Sequence, residues 1–451
     1  MTTVVKRLND SAFLRWTVLF IVATAMMMGY FVNDVMSPLE TLLEKPRSEG
    51  GLGWSPSDYG FFSGASGLIN VFLLMLFFSG IILDKMGIRF TGRLSCSLML
   101  AGTLLKLYSV SHDFGDSVFS LSLFDFHLPM SAALSSLGFA VFGVGYEMTG
   151  ITVSKAMVRW FTGHELALAM GIQLAMARLG TAAALSISAP IARRYTLSTP
   201  LLVAVALLCI GLIAFLVFCV MDKRLDRNGT EDDIKPSSEQ FRWSDIGATL
   251  RSPGFWLITL FCVLFYSAVS PFLKFSSRLL VVKYGVDAQA AGFFSSIAPF
   301  GTILLTPLFG YIYDRYGRGV SIVITGALLL TAVHFGFALP MHGAGIAIAL
   351  MVVLSIGYSL APAALWPCVP KIIPLKCLGT AYSMIFFIQN FGRTVIPTLV
   401  GRANECDPSY TTSMLIFGFT ALGAMTVAVV MLVVDRRKGY GLQLPNIKRK
   451  T

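Results

Sequence analysis

The sequence predicts an all-α membrane protein, with twelve transmembrane helices in two pseudo-symmetric six-helix bundles. Three observations predict it. Of 451 residues 55% are hydrophobic and only 13% charged, where soluble domains carry about 25% charged. So few charges cannot cover a water-facing surface, and lipid must solvate part of it. Apolar runs near the length a bilayer core requires, about 20 residues, recur twelve times along the chain. A loop motif in the first half returns in the second at the equivalent place.

In order, the apolar runs cover residues 16–33, 59–83, 93–111, 129–153, 166–189 and 200–221, then 254–274, 288–313, 319–340, 343–365, 379–401 and 411–434. They are called spans 1 to 12 below. Between spans 6 and 7 lies a polar stretch containing "DKRLDRNGTEDDIKPSSEQFRW". Residues 1–221 are expected as an N-terminal six-helix bundle, 222–252 as a cytoplasmic linker and 253–451 as a C-terminal six-helix bundle. Residues 1–15 are too polar for the apolar core of a signal peptide, so span 1 reads as a retained helix.

Basic residues orient the spans. With both termini in the cytoplasm, 24 of the 35 Lys and Arg fall at cytoplasmic ends and loops, 8 in external loops, and Lys106, Arg178 and Arg393 within spans. The net charge of +11 therefore reflects topology rather than an affinity for nucleic acid. Short termini with no acidic dileucine signal favour a bacterial inner (plasma) membrane.

After span 2 comes "GIILDKMGIR", and after span 8 "GYIYDRYGRG". Gly80, Asp84 and Gly87 match Gly310, Asp314 and Gly317 at a constant offset of 230. A small residue lets helices approach. An aspartate can cap a helix or pair with an arginine, and the second glycine allows a tight turn. With Arg89 and Arg315 these residues are expected to form a cytoplasmic gate that holds in one conformation and releases in the other. The pair resembles the loop signature of the major facilitator superfamily. That resemblance implies two six-helix halves rocking about a central site.

A second repeat lies deeper. "IQLAMAR" in span 5 carries Gln173 and Arg178, and "FIQNFGR" in span 11 carries Gln389, Asn390 and Arg393. Arg178 is near the centre of its span. An arginine there costs at least about 2.5 kcal/mol, cannot deprotonate and is too deep to snorkel. It must face a wet cavity or a carboxylate. Glu147, in "GVGYEMTG" of span 4, is the nearest candidate. One reading is a structural Glu147–Arg178 ion pair. The other puts both on a cavity wall, Arg178 taking a substrate carboxylate by paired hydrogen bonds and Glu147 an amine or a proton. Arg393 either lines the cavity from the opposite half or sits nearer the external end with Asp407. Lys106, near the outer end of span 3, is expected to reach headgroups. Asn70 lines the path or bonds across helices. Tyr30, Tyr266 and Trp366 stand beside helix breakers or polar residues and are further cavity candidates.

Several stretches are similar to the branch that holds the lysosomal dipeptide transporter and its bacterial relatives. They are "GYFVND", "INVFLLMLFFSGIILDKMGIRFTG", "QLAMARLG", "GYSLAPAALWPCVP" and "LGTAYSMIFFIQN". The resemblance implies facilitated movement of dipeptides, with an acidic residue of span 4 and an arginine of span 5 handling the two peptide termini. Those positions match Glu147 and Arg178. Arg393 departs from the branch pattern and allows for an extra anionic group on the substrate. The E-x-x-E-R motif of proton-coupled peptide transporters has no match in span 1.

The expected function is a secondary transporter, most simply a uniporter, moving dipeptides or similar zwitterions by alternating access. Two buried arginines also suit an organic-anion exchanger or symporter of the carboxylate or nitrate type. The five histidines and seven cysteines show neither metal spacing nor a nucleophile–base constellation, so no enzyme, metal or cofactor is expected. The expected partners are a small-molecule substrate and the lipid bilayer, with no nucleic acid, and the protein is expected to function as a monomer.

Overall fold

The computed structural model describes residues 11–121, 126–161, 166–227, 250–373 and 378–445. Most of the expected linker, residues 228–249, lies outside the described residues. Lipid offers the backbone no hydrogen-bond partners, so each apolar run must satisfy its own amides as helix. Among the described residues ten helices are long and apolar enough to cross a membrane. The other two spans, 2 and 11, depart from that pattern for reasons that bear on the site.

Span 2 is not one helix over 59–83, as expected, but Pro56–Ala65, Leu68–Phe72 and the start of a helix assigned over Met75–Ser111. It opens on a capping box, Ser55 accepting from the Asp58 amide at 3.1 Å while the Asp58 carboxylate accepts from the Ser55 amide at 2.8 Å. Leu74, with φ +53°, interrupts it near its end. Span 8 is likewise split, into Ala288–Ser295 and Ile297–Tyr316. Span 11, Leu378–Cys406, is unbroken but carries Gln389, Asn390, Arg393 and Asn404, too polar a set for a lipid-facing helix.

The remaining spans run longer than their apolar cores, except span 9, which ends two residues sooner. Span 1 is Ala12–Asp34, span 4 Met130–Phe161, span 5 Leu166–Arg194 and span 6 Thr199–Arg227. Span 7 is Pro253–Tyr284, span 9 Gly319–Ala338, span 10 Ala344–Ile372 and span 12 Thr411–Lys438. The extensions end in charge. Arg193 and Arg194 close span 5, and Arg436, Arg437 and Lys438 close span 12, where a cation complements the helix dipole. Hydropathy stops counting where such residues begin, although the helix continues. Between spans 3 and 4 a short antiparallel hairpin pairs Val118–Leu121 with Phe126–Pro129. The sequence reading had no element there.

The repeated loop glycines share one conformation. Gly87 has φ 78° and ψ 170°, and Gly317 has φ 73° and ψ −142°. A side chain disfavours that region, so both turns require glycine. Span 3 begins directly after Gly87 and span 9 after Arg318.

Span 1 packs on spans 5 and 6, and span 3 on spans 4 and 6. In the other set, span 7 packs on spans 11 and 12, and span 10 on spans 8 and 9. Two cross-pairs join the sets, span 2 with span 11 and span 8 with span 5. A two-fold relation between the halves interchanges these pairs. Both approach backbone to backbone. A Cβ on Gly60 would stand 2.7 Å from the Cα of Gly401, and one on Gly292 2.2 Å from the carbonyl of Leu185.

These contacts lie toward the face opposite the one where span 1 starts and span 12 ends. The two faces are called distal and terminal. On the distal side Lys274 of span 7 meets Asp34 at 2.8 Å and also donates to the Asn33 carbonyl. Tyr59 donates to the Lys274 carbonyl at 3.1 Å, and Arg278 to Glu44 at 2.6 Å. Toward the terminal face Gly80 and Gly310 have only open space where a Cβ would stand. Among the described residues the distal side is closed and the terminal side parted.

Candidate functional site

At mid-depth, Glu147 of span 4 is paired with Arg393 of span 11. Nη1 of Arg393 donates to Oε1 of Glu147 at 2.9 Å, with 21% and 19% of the two side chains exposed. The pair therefore crosses from one half to the other and keeps contact with solvent space. The ion pair considered from sequence, Glu147 with Arg178, is not the one formed. The two groups lie on one half, whereas Arg393 reaches across. Asp407, the other partner considered for Arg393, instead accepts from Ser409 and Thr412 in its own loop.

Arg178 is half-buried and meets no carboxylate among the described residues. Its guanidinium lies over the ring of Tyr358 of span 10 at 4.9 Å, a cation–π contact. Tyr30 and Tyr146 lie within electrostatic reach of both Arg178 and Arg393. Their rings are 5.0 Å apart. A small cavity of ≈ 50 Å³ is lined by Tyr30, Tyr146 and Glu147 together with Met26, Met99 and Thr149. Its volume suits water more than a solute, so a guest must widen it.

Tyr266 and Trp366 form one unit, Trp366 Nε1 donating to the Tyr266 hydroxyl at 3.1 Å. Tyr266 lies near Arg178. Asn70, Gln173, Gln389 and Asn390 are all buried. Asn70 donates to the Gly143 carbonyl at 3.1 Å, which is the cross-helix role. Gln173 donates to Met26 Sδ at 3.3 Å, and Asn390 to the Phe386 carbonyl one turn back. The side-chain oxygens of Gln173 and Gln389 have no partner among the described residues, so the repeat seen in sequence is repeated in this respect too.

The two gate arginines have partners in their own halves. Arg89 faces Asp222 at 3.7 Å, beside Arg159 at 3.3 Å and the Trp160 indole at 3.1 Å. Arg315 donates to the Tyr311 hydroxyl at 2.6 Å and is exposed, while Asp314 is half-buried. The side chain of Asp84 lies outside the described residues. The turn at Gly317 is covered by the C-terminal segment, the Arg318 amide donating to the Gln443 carbonyl at 2.7 Å.

Lys106 corrects its expectation. It is 1% exposed, donates to the Val32 carbonyl at 3.3 Å and lies over Phe139 at 4.5 Å. Spans 1 and 4 wall it off from the headgroups, and it stands beside the Asp34–Lys274 pair.

Sequence reading passed over Tyr146, Tyr358 and Lys274 as site residues. The first two had a signal. Gly145–Tyr146–Glu147 is echoed by Gly357–Tyr358–Ser359 at an offset of 212. Each arginine thus reaches toward the tyrosine of the opposite half, and the symmetry breaks only where Glu147 meets its counterpart Ser359. Lys274 was hidden because hydropathy placed it at a span end.

Residues 19–397 match the model of the Major Facilitator Superfamily. The chain belongs to that superfamily. It is an integral, multi-pass membrane transporter of small molecules rather than an enzyme. It is 28% identical to the lysosomal dipeptide transporter MFSD1 of Bos taurus over 390 residues, 84% of this chain and 78% of the relative. Among solved structures it is similar to a variant of the nucleoside transporter NupG, with TM-score 0.69, 14% identity and coverage of 92% and 99%. It is also similar to a POT family transporter in complex with a thioalcohol-conjugated peptide, with TM-score 0.67, 16% identity and coverage of 93% and 96%. At these identities the two structures bear on the fold alone.

Proposed function

We propose that this transporter carries dipeptides, as a uniporter, by alternating access at the site between Glu147 and Arg178. The observation that carries the reading is a carboxylate and a guanidinium of one half, both at mid-depth and both in contact with solvent space. A zwitterion requires both charges matched. The α-amine takes Glu147 in exchange for Arg393, and the α-carboxylate takes Arg178, leaving the Tyr358 face for a charge-assisted pair of hydrogen bonds. An extended dipeptide spans about 7 Å, short enough to lie across the Tyr30–Tyr146 unit. Tyr266, Trp366 and Gln389 supply the wall of the opposite half. As the halves rock, the gate residues of the two repeated loops come together on the terminal face while the distal contacts part.

The basic-residue distribution supports termini in the cytoplasm, so the described state faces inward. A bacterial inner membrane and the monomer as the working unit complete the proposal. Organic-anion exchange, open from sequence, is less favoured, because an anion gives Glu147 no partner to exchange for Arg393. Uptake of labelled dipeptide into proteoliposomes tests the reading. Transport of Ala-Ala by the wild type and its loss in Glu147→Gln are expected. Undiminished transport in that variant would remove Glu147 from the amine site.

A further inference from the structure

The central site holds two permanent cations and one anion. Arg178 and Arg393 occupy equivalent positions of the two halves, yet Glu147 has no acidic equivalent, since Ser359 stands there and donates to the Ser355 carbonyl. In the empty site Glu147 is committed to Arg393 at 2.9 Å. A neutral dipeptide brings one amine and one carboxylate. If the amine takes Glu147 and the carboxylate takes Arg178, Arg393 is left half-buried without a partner, since Asp34, the other carboxylate in its electrostatic reach, is held by Lys274 at 2.8 Å. Neither arginine can relieve this by losing a proton, and an uncompensated buried charge is strongly unfavourable.

Resting on the dipeptide reading above, we infer that Arg393 is a specificity-determining residue for a second carboxylate, carried on the side chain of the N-terminal residue of the peptide. The position follows from the geometry. Arg393 lies in direct contact with Glu147, so the group it receives must be close to the amine that Glu147 holds. A side-chain carboxylate on the N-terminal residue meets this condition. One on the C-terminal residue lies toward Arg178 instead. A guest with one positive and two negative charges then neutralises every permanent charge of the site. Tyr30 and Tyr146, in reach of both guanidiniums, are placed to donate to either carboxylate.

The test uses the full-length purified protein and four peptides, Glu-Ala, Gln-Ala, Ala-Glu and Ala-Ala, with Kd read by calorimetry and stabilisation by thermal shift. Glu-Ala is expected to bind about tenfold more tightly than its isostere Gln-Ala, as one hydrogen-bonded charge pair gives. Ala-Glu is expected to gain less than Glu-Ala. In Arg393→Gln the order of Glu-Ala and Gln-Ala reverses, because Glu147 is released to the amine while the acidic side chain loses its partner. Arg393→Lys keeps part of the preference. Equal affinity of the wild type for Glu-Ala and Gln-Ala overturns the inference even if Arg393→Gln does not fold, and so does a preference that survives Arg393→Gln. If none of the four binds, the dipeptide reading itself fails and this inference falls with it.

Discussion

Replacing Asp34 with Asn is expected to open the distal side. Asp34 and Lys274 are 10% and 11% exposed and 2.8 Å apart. Thr181 donates to the other carboxylate oxygen at 2.8 Å, and Asn33 to the first at 3.0 Å. Lys106 lies buried in electrostatic reach of both. Breaking a buried pair by removing one partner costs about 3–5 kcal/mol, because the remaining charge stays desolvated. Here the protein has an escape other than unfolding. When the halves part distally, Lys274 returns to water, so the cost falls on the closed state alone. A bias of about 3 kcal/mol shifts the two-state ratio roughly a hundredfold. Asp34→Asn strands two ammonium groups, whereas Lys274→Met leaves Lys106 beside Asp34. The asparagine variant is therefore expected to open further than the methionine variant. Ser63, 2% exposed in the first piece of span 2, reports the change. In a cysteine-free background, Ser63→Cys should react slowly with a membrane-impermeant maleimide, and faster by up to that factor once Asp34→Asn is added. Exchange of the two residues should restore slow labelling. An unchanged rate in Asp34→Asn, or an equal rate in Lys274→Met, would refute the argument.

Three further outcomes are expected. Gly401→Ala places a methyl 2.6 Å from the Cα of Gly60, so span 2 and span 11 cannot close; a loss of about 1–3 kcal/mol in thermal stability or faster Ser63→Cys labelling should follow, and neither would appear if that crossing were loose. Lys106→Met removes a buried cation with no carboxylate within ion-pair distance among the described residues and is expected to raise stability against heat by about 1 kcal/mol; a fall in the thermal midpoint would assign Lys106 a stabilising role in closure. Hydrogen bonds from Ser409 and Thr412 hold the Asp407 carboxyl down at about 2, so this loop is stable above the unfolded value of about 3.9 and loses that contribution as pH falls from there through 2. Hydrogen exchange of the Thr412 amide should accelerate over that window in wild type and be fast throughout in Asp407→Ala.

Topology was legible because lipid leaves the backbone so few choices. All twelve spans could be read from apolar runs, span 2 as one run although it is three pieces, and the turn glycines from their spacing, since a positive φ restricts the residue type. What misled the reading was burial without apolarity. Span 2 looked continuous because the breaks at residues 66–67 and 73–74 lie within an apolar run. Lys106 looked like a headgroup ligand because its depth along span 3 says nothing about which neighbours wall it in. The arginines were found because a permanent charge in lipid demands an explanation, but the partner of Glu147 was not. Proximity along the chain favours Arg178, and only packing of the two halves brings in Arg393. Lys274 was missed for a related reason. A single lysine at the end of an apolar run reads as an interface anchor until a helix from the other half brings an aspartate to it.

The placement of charge and closure on the same helices gives the site its leverage. Spans 5 and 11 each carry one arginine and, further toward the distal face, one of the two close crossings between halves. From Arg393 to Gly401 is eight residues, about 12 Å along a helix, and from Arg178 to Leu185 about 10 Å. A guest that takes Arg393 from Glu147 therefore acts on the helix whose distal part closes on Gly60. Pro397 lies between the two points and removes one backbone hydrogen bond there, which lets the two parts of span 11 bend relative to each other. Its carbonyl stands 2.7 Å from where a Gly60 Cβ would be, so any such bend is felt at the crossing itself. Binding energy at mid-depth can thus be exchanged against distal contact without a separate relay. Differential affinity for the two states, which any ligand-driven change requires, then arises from the helix geometry rather than from the guest alone.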